Sequence, residues 1–229
     1  MARKRSAPRR HVPLQTRRHA RIDLSRARVL LTNDDGIHSP GIEGLEKVLS
    51  GLAREVWTVA PETEQSAAGH SLTLRRPLRI RALAERRFAV DGTPTDCVLL
   101  AAREIMRDKP IDLVISGINR GGNIADDVTY SGTIAAAMEA ALLGLPAIAL
   151  SQVCDGPHPV KWATAEHWLP EVLKNILRVR WPLNVLINVN FPDVVACSVK
   201  GVVVAPQAQC EGGSEPMRGG TRLYWVAGG

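Results

Sequence analysis

No stretch of this 229-residue sequence is apolar for long enough to cross a bilayer, and no apolar core follows the basic N-terminus; neither a membrane span nor a signal peptide is therefore expected. The four cysteines, Cys97, Cys154, Cys197 and Cys210, lie far apart and form no CxxC pair. That argues against a structural zinc site or a disulfide framework, and for reduced thiols in a cytoplasmic protein. The dinucleotide fingerprint GxGxxG is missing after the first strand, where Asn33-Asp34-Asp35-Gly36 stands instead; carboxylates there repel a pyrophosphate unless a metal intervenes. No GxxxxGK followed by Ser or Thr, no GxSxG and no HExxH occurs, which removes P-loop NTPases, serine hydrolases of the nucleophile-elbow type and zinc metalloproteases. The strand ending at Ser116 carries no closing Asp, so an aspartyl-phosphate enzyme or receiver domain is disfavoured. There is no internal repeat.

Charge is present, but unevenly. The net +6 conceals a basic tail: residues 1–28 hold ten Arg or Lys and one acid, Asp23, leaving nineteen basic and twenty-two acidic residues in the rest. With Pro8, Pro13 and little aliphatic content, the tail reads as a disordered extension over residues 1–27. Weak contact with nucleic acid is the most its charge offers without aromatic interleaving.

Past the tail, strands and helices alternate. Arg28–Leu31 opens a buried-type strand, and Ile42, Leu45, Val48, Leu49 and Leu52 mark a helix after Ser39-Pro40-Gly41. Residues 55–60 make a second strand, and 72–80 with 87–91 an excursion of short antiparallel strands. Thr93-Pro94-Thr95-Asp96 starts a helix running to about Arg107, with Thr93 as N-cap and Asp96 as its third-position partner. Strands are expected at 111–116, 146–150 and 185–190. Helices are expected at 134–143 and at 162–180, the latter kinked or divided by Pro170. Residues 199–205 and 222–226 read as strands of a peripheral hairpin or arm. This order predicts an α/β core over 28–204 on a doubly wound, mostly parallel sheet, with an arm over 205–229.

Three loops follow strands and would share one carboxyl edge of such a sheet. The first holds Asp34 and Asp35. Adjacent carboxylates repel unless a cation lies between them, and hard oxygen ligands suit Mg²⁺ or Mn²⁺; the alternative has Asp34 facing solvent and Asp35 helping the turn. In the third loop Asn119 is either an oxygen ligand or a turn residue. Ser66, in the polar second loop, reads from the residues alone as a cap or a solvent-facing side chain. Ser131-Gly132-Thr133 at a helix start suits a phosphate or simple N-capping, and the two are compatible. His38 and His70 flank the loops, His158 reads as a structural loop residue, and Asp96 as a cap. Metal-bound carboxylates beside a helix N-terminus favour phosphomonoester hydrolysis over the other chemistries considered.

The segments Leu31-Thr-Asn-Asp-Asp-Gly-Ile37, Ala60-Pro61 with Gln65-Ser66, Val90-Asp-Gly-Thr-Pro-Thr-Asp-Cys-Val98, Ser116-Gly-Ile-Asn-Arg-Gly-Gly-Asn123 and Tyr130-Ser-Gly-Thr133 resemble, in order, those of the SurE family of stationary-phase survival nucleotidases. The resemblance covers roughly residues 28–204. It implies a Rossmann-like three-layer αβα sandwich and a divalent-metal-dependent phosphatase acting on nucleoside 5′- and 3′-monophosphates and, in some members, on polyphosphate. It also implies one Mg²⁺ or Mn²⁺ per subunit held by Asp34, Asp35, Ser66 and Asn119, with Asp34, Asp35 and Asn119 as the catalytic set. Asn33, Gly121, Asn123, Ser131, Gly132 and Thr133 are implied to surround the phosphate, and the protein to form a homodimer or higher homo-oligomer. The sequence departs from the family pattern at Thr63 and Ala67, at 206–213 and at its C-terminus, which reads as shortened. A nucleotide- or partner-binding protein of the same fold, inactive through that altered C-terminus, is the competing expectation.

Overall fold

A computed structural model describes residues 18–207 and the backbone of residues 216–218 and 224–226. Strand β1 (Arg28–Thr32) lies in the interior of a seven-stranded sheet, as a continuous apolar run permits, since Val29, Leu30 and Leu31 can be buried on both faces at once. From β1 the chain moves to one side through β2 (Glu55–Pro61) and the hairpin of β3 (Ile80–Ala84) and β4 (Arg87–Val90). It then crosses to the other side through β5 (Leu113–Arg120), β6 (Ala147–Gln152) and β7 (Ile187–Phe191). The resulting order is β3-β4-β2-β1-β5-β6-β7, parallel throughout except for the antiparallel edge pair β3–β4. The order in which strands are added reverses between β1 and β5, which run parallel. The crevice beyond the carboxyl ends of those two strands is where open sheets of this kind take ligands.

Alternation along the strands builds two large cores, beside a smaller cluster of Ile37, Ile42, Ala60 and Ala89. Val29, Leu31, Ile115 and Leu150 pack under α1 (Pro40–Ser50) and α5 (Trp162–Leu177), while Leu30, Val114 and Ala149 pack under α2 (Pro94–Leu100) and α4 (Gly132–Leu142). Each fully buried Leu or Ile in these layers contributes about 1.5–3 kcal/mol. In α4 the buried faces are mostly alanine (Ala135, Ala136, Ala137, Ala140), which lets the helix lie close to the sheet. The doubly wound, mostly parallel sheet expected from the order of elements, and the three-layer sandwich implied by the family resemblance, are the fold observed.

The start of α2 is built as its sequence indicates. Thr93 Oγ1 accepts from Asp96 N at 3.1 Å, and Asp96 Oδ2 accepts from Thr93 N at 2.9 Å. The other oxygen of Asp96, itself buried, accepts from Thr73 N at 3.1 Å. Replacing Asp96 by Ala strips two amides of their acceptor and is expected to cost about 2–4 kcal/mol, read as a fall in the urea midpoint at unchanged m-value.

Several local expectations need correction. Residues 72–79 form no strand; β3 begins only at Ile80, and two amides of this stretch are taken by side chains, Thr73 N by Asp96 and Arg79 N by Asp91 Oδ1 (2.7 Å). The helix from Thr93 stays α-helical to Leu100 and continues as one wider turn over Ala101–Ile105. Pro170 does not divide α5, which runs unbroken from Trp162 to Leu177. The third loop begins later than expected, since β5 continues through Arg120 with an irregularity between Ser116 and Asn119.

The flanks differ too. Residues 199–205 are not a strand. A short antiparallel pair instead joins β8 (Pro216–Arg218) to β9 (Tyr224–Val226); the remainder of the expected arm lies outside the described residues. Residues 1–17 of the expected extension also lie outside them. Residues 18–27, by contrast, lie on the body: His19 is buried and donates its N–H to Trp181 O at 3.0 Å, and Ile22 and Leu24 pack on the α1–α5 core.

Candidate functional site

The site is built from the carboxyl ends of β1, β2 and β5. Just past β1, the buried Asn33 donates from Nδ2 to Gly36 O (2.9 Å) and to Ser39 Oγ (2.8 Å). It shapes the loop that carries the two aspartates, and its amide nitrogen is engaged there rather than offered to a substrate.

Asp34 is only 5% exposed and points at the start of α4. Its carboxylate accepts from the Thr133 hydroxyl and from the backbone N–H groups of Gly132 and Thr133. A side chain at Gly132 would place its Cβ 2.7 Å from the Asp34 Cβ, so the helix can approach the carboxylate only with glycine at that position. These donors stabilise the anion, as does the positive end of the helix, yet burial outweighs them and raises the Asp34 pKa above the ordinary carboxylate value.

Asp35 is half-buried and lies beyond the helix end. Its Oδ2 accepts from Arg120 N at 3.1 Å. Burial pushes its pKa up to about 6, with the charges of Asp34 and Glu64 adding to the rise and Arg120 opposing it.

The other two loops are fastened to this pair. Gln65 N donates to Asp34 O at 2.8 Å, which brings Ser66 onto the same rim; the Ser66 hydroxyl donates to Glu64 Oε1 at 2.6 Å. Asn119 directly precedes the residue bonded to Asp35. Its Nδ2 turns back onto its own loop, to Gly121 O at 2.9 Å and Arg120 O at 3.3 Å, and the ligating end of an asparagine is the other atom, Oδ1.

The groups expected around a phosphate are differently engaged. Gly121 N donates to Gln152 O (2.9 Å) and Asn123 N to Asn190 Oδ1 (2.8 Å). Asn123 Nδ2, buried, donates to Ser151 Oγ at 2.7 Å. Ser131 Oγ caps α4 by accepting from Ile134 N at 3.1 Å. With Gly132 and Thr133 on Asp34, the backbone donors that the sequence suggested for phosphate serve the protein itself, as buried donors must. Arg120 carries the positive charge at this rim.

Beside Asp35 lies an open cavity of about 570 Å³, a size suited to a small ligand. Asp35, Glu62, Glu64 and Arg120 are among its lining residues, as are His38, His158 and Trp162; Glu62 is paired with Arg79 (3.1 Å) and Arg81 (2.7 Å). His158, read from sequence as a structural loop residue, thus faces the same space, paired through Nε2 with Asp193 Oδ2 at 3.0 Å. Nothing local in Gly-Pro-His-Pro announces this; the β6–α5 crossover creates it. His70 instead pairs with Glu139 on α4 at 3.0 Å.

Among the described residues no group of three or more His, Cys, Asp or Glu side chains is arranged to hold a metal ion. The set carried by the sequence has only two carboxylates, completed by a hydroxyl and an amide. Its chemistry suits a hard divalent cation. Burial holds both carboxylates above their ordinary pKa, with the charge of Asp34 adding to the rise at Asp35, and a cation between them would favour their charged forms. The residues present therefore fit the ion.

An open, doubly wound sheet with paired aspartates at its switch point, where a glycine fingerprint would otherwise lie, defines a Rossmann-like three-layer protein with an acidic ligand rim. The family model described as "Survival protein SurE" matches residues 29–213. The chain is 60% identical over 195 residues to the 5′-nucleotidase SurE of Paramagnetospirillum magneticum, covering 85% of this chain and 75% of that protein. It is 60% identical over 184 residues to that of Parvibaculum lavamentivorans, covering 80% and 66%, so it spans roughly two thirds to three quarters of these relatives. The crystal structure of the SurE protein of Aquifex aeolicus superposes with a TM-score of 0.78 at 38% identity, covering 87% of this chain and 82% of that one. This chain belongs to the SurE family.

Proposed function

We propose that the protein is a metal-dependent phosphomonoesterase that hydrolyses nucleoside monophosphates to nucleoside and phosphate. Membership of the SurE family and close similarity to proteins named 5′-nucleotidase SurE support the activity. The observation that carries the site is the pair Asp34–Asp35 at the switch point, desolvated, with both pKa values raised and with Gln65 and Arg120, the chain neighbours of Ser66 and Asn119, hydrogen-bonded to it.

In this reading Asp34, Asp35, Ser66 and Asn119 hold one Mg²⁺ or Mn²⁺ per subunit. Lewis acidity toward a phosphoryl oxygen and acidification of a water are the chemistry a bound divalent cation supplies. The chain does the rest. Gly132 and Thr133 fix Asp34 against α4, and Arg120 N fixes Asp35 through Oδ2, leaving Oδ1 to take the proton of the attacking water. The Arg120 guanidinium, at the cavity wall, attracts the phosphoryl group and meets charge developing on its oxygens. In-line attack forms the new P–O bond as the bond to the nucleoside oxygen breaks, and the proton taken up by Asp35 Oδ1 is returned, by way of solvent, to that leaving oxygen.

Thr133 supports Asp34 without touching the cation. Thr133→Val removes the hydroxyl donor while keeping the shape, and is expected to weaken Mn²⁺ binding by about 10–100-fold, measured by calorimetry.

A homodimer or larger homo-oligomer in the cytoplasm completes the proposal. Val202, Val203 and Val204 are 67%, 87% and 97% exposed, an apolar run that association would cover. No helix among the described residues is long and apolar enough to cross a membrane. Phosphate release from a nucleotide panel with Mg²⁺ or Mn²⁺, abolished by EDTA, tests the activity; tight nucleotide binding without release would overturn it.

A further inference from the structure

The cavity beside Asp35 has a lining of two kinds. Asp35, Glu64 and Arg120 are neighbours and form its acidic end; Trp162, Pro40, Pro159 and Val160 add apolar wall, and His38, Ser39 and His158 also line it. Trp162 is the first residue of α5, and its indole packs partly on the α1–α5 core. Its position relative to the acidic end follows from Gly41. A Cβ at Gly41 would lie 3.2 Å from Trp162 Cζ3 and 1.9 Å from Ile118 O. The indole edge therefore meets the start of α1 where that helix touches the strand end carrying Asn119 and Arg120. Contact this close is possible only because residue 41 has no side chain.

We propose that Trp162 forms the subsite for the nucleobase of the substrate. The inference rests on reading the acidic end as the phosphomonoesterase site and adds what the rest of the substrate touches. A base has a π-face whatever its sequence-specific edges, and an indole anchored in a hydrophobic core offers it a rigid apolar partner at little entropic cost. Pro40, Pro159 and Val160 add apolar wall around the indole. The stacking surface therefore recognises a planar aromatic ring as a class, since every base offers a π-face. A sugar phosphate without a base reaches the same acidic end but leaves the indole to water.

The test uses the full chain loaded with Mn²⁺, two variants and two readouts. Trp162→Leu keeps an apolar packing group and removes the π-face; Trp162→Phe keeps a ring. Thermal melts establish that both are folded. Kinetically, kcat/KM for adenosine 5′-monophosphate is compared with that for ribose 5-phosphate. Wild type and Trp162→Phe are expected to prefer the nucleotide by about tenfold or more, and Trp162→Leu to lose that preference through KM. By calorimetry, adenosine alone binds wild type and Trp162→Phe, and binds Trp162→Leu at least about tenfold more weakly.

An equal fall for both phosphates, or an unchanged preference, overturns the subsite. So does turnover of nucleotides by a protein that does not bind adenosine. If instead no phosphomonoester is hydrolysed while adenosine binding depends on Trp162, the subsite stands and the phosphatase reading fails.

Discussion

Asp35→Asn is expected to lower kcat/KM for a nucleoside monophosphate by about 10²–10⁴-fold, corresponding to several kcal/mol of lost transition-state stabilisation. The exchange is nearly isosteric. The amide oxygen of the variant can still accept from Arg120 N, which Asp35 Oδ2 does at 3.1 Å, so the loop is expected to keep its path. What disappears is one of only two formal negative charges in the proposed cation site, together with the proposed proton acceptor. Asp34→Asn removes the other charge and additionally turns an amide group toward the donors at Gly132 and Thr133. It is therefore expected to be at least as damaging, but with a structural contribution that the Asp35 variant avoids. Initial rates with saturating Mn²⁺ or Mg²⁺ check both; an Asp35→Asn enzyme with wild-type turnover would remove Asp35 from the mechanism.

The same substitution is expected to stabilise the metal-free protein. Asp35 in the folded state is pushed from 3.8 up to about 6. A carboxyl with a raised folded value binds more protons when folded than when unfolded between those two values, so stability falls as pH rises through that window. Below about pH 4 the group costs nothing; above about pH 6 it costs about 3 kcal/mol. Asp34 is shifted in the same direction by burial. In EDTA, the Tm of Asp35→Asn should therefore approach that of wild type near pH 4 and exceed it by about 5–10 °C near pH 7. A divalent cation should close that gap by stabilising wild type selectively. Parallel melting curves at every pH would mean that the carboxylate is not strained in the folded protein.

The two expected effects of Asp35→Asn together describe a site held ready at a cost to stability: the carboxylate proposed for turnover is one whose removal is expected to strengthen the empty fold. Function here draws on the free energy of the surrounding layers, whose Leu and Ile side chains are fully buried.

Much of this arrangement could be read from sequence wherever the determining residues are neighbours in the chain. The run Val29-Leu30-Leu31 followed by Asp34-Asp35 places carboxylates at a strand end without reference to any other segment. Thr93, Pro94 and Asp96 specify the start of α2 through contacts three residues apart. What could not be read is whatever depends on partners far away in sequence. Residues 72–79 have strand-like composition, but two of their amides are taken by the side chains of Asp91 and Asp96. Val202–Val204 have strong strand propensity and pair with no strand among the described residues.

The site shows the same division. A glycine beside a Ser/Thr pair at a helix start signals a free anion site, and Gly132-Thr133 does bind an anion; that anion is Asp34, ninety-nine residues from Thr133. Gly121 and Asn123 likewise donate to β6 and β7 rather than outward. Trp162 and His158 enter the cavity only because the crossover from β6 brings the start of α5 over the ends of β1 and β5. Periodicity marks Trp162 as a core residue, which is half of what it does.

The central claim is that a single divalent ion sits where the loops after β1, β2 and β5 converge. Anomalous diffraction from crystals grown with Mn²⁺ measures this most directly. The account predicts one strong peak per chain in contact with carboxylate oxygens of Asp34 and Asp35, Ser66 Oγ and Asn119 Oδ1. A peak bound by other residues, or none in crystals of protein that hydrolyses nucleotides in the same Mn²⁺ solution, would contradict it.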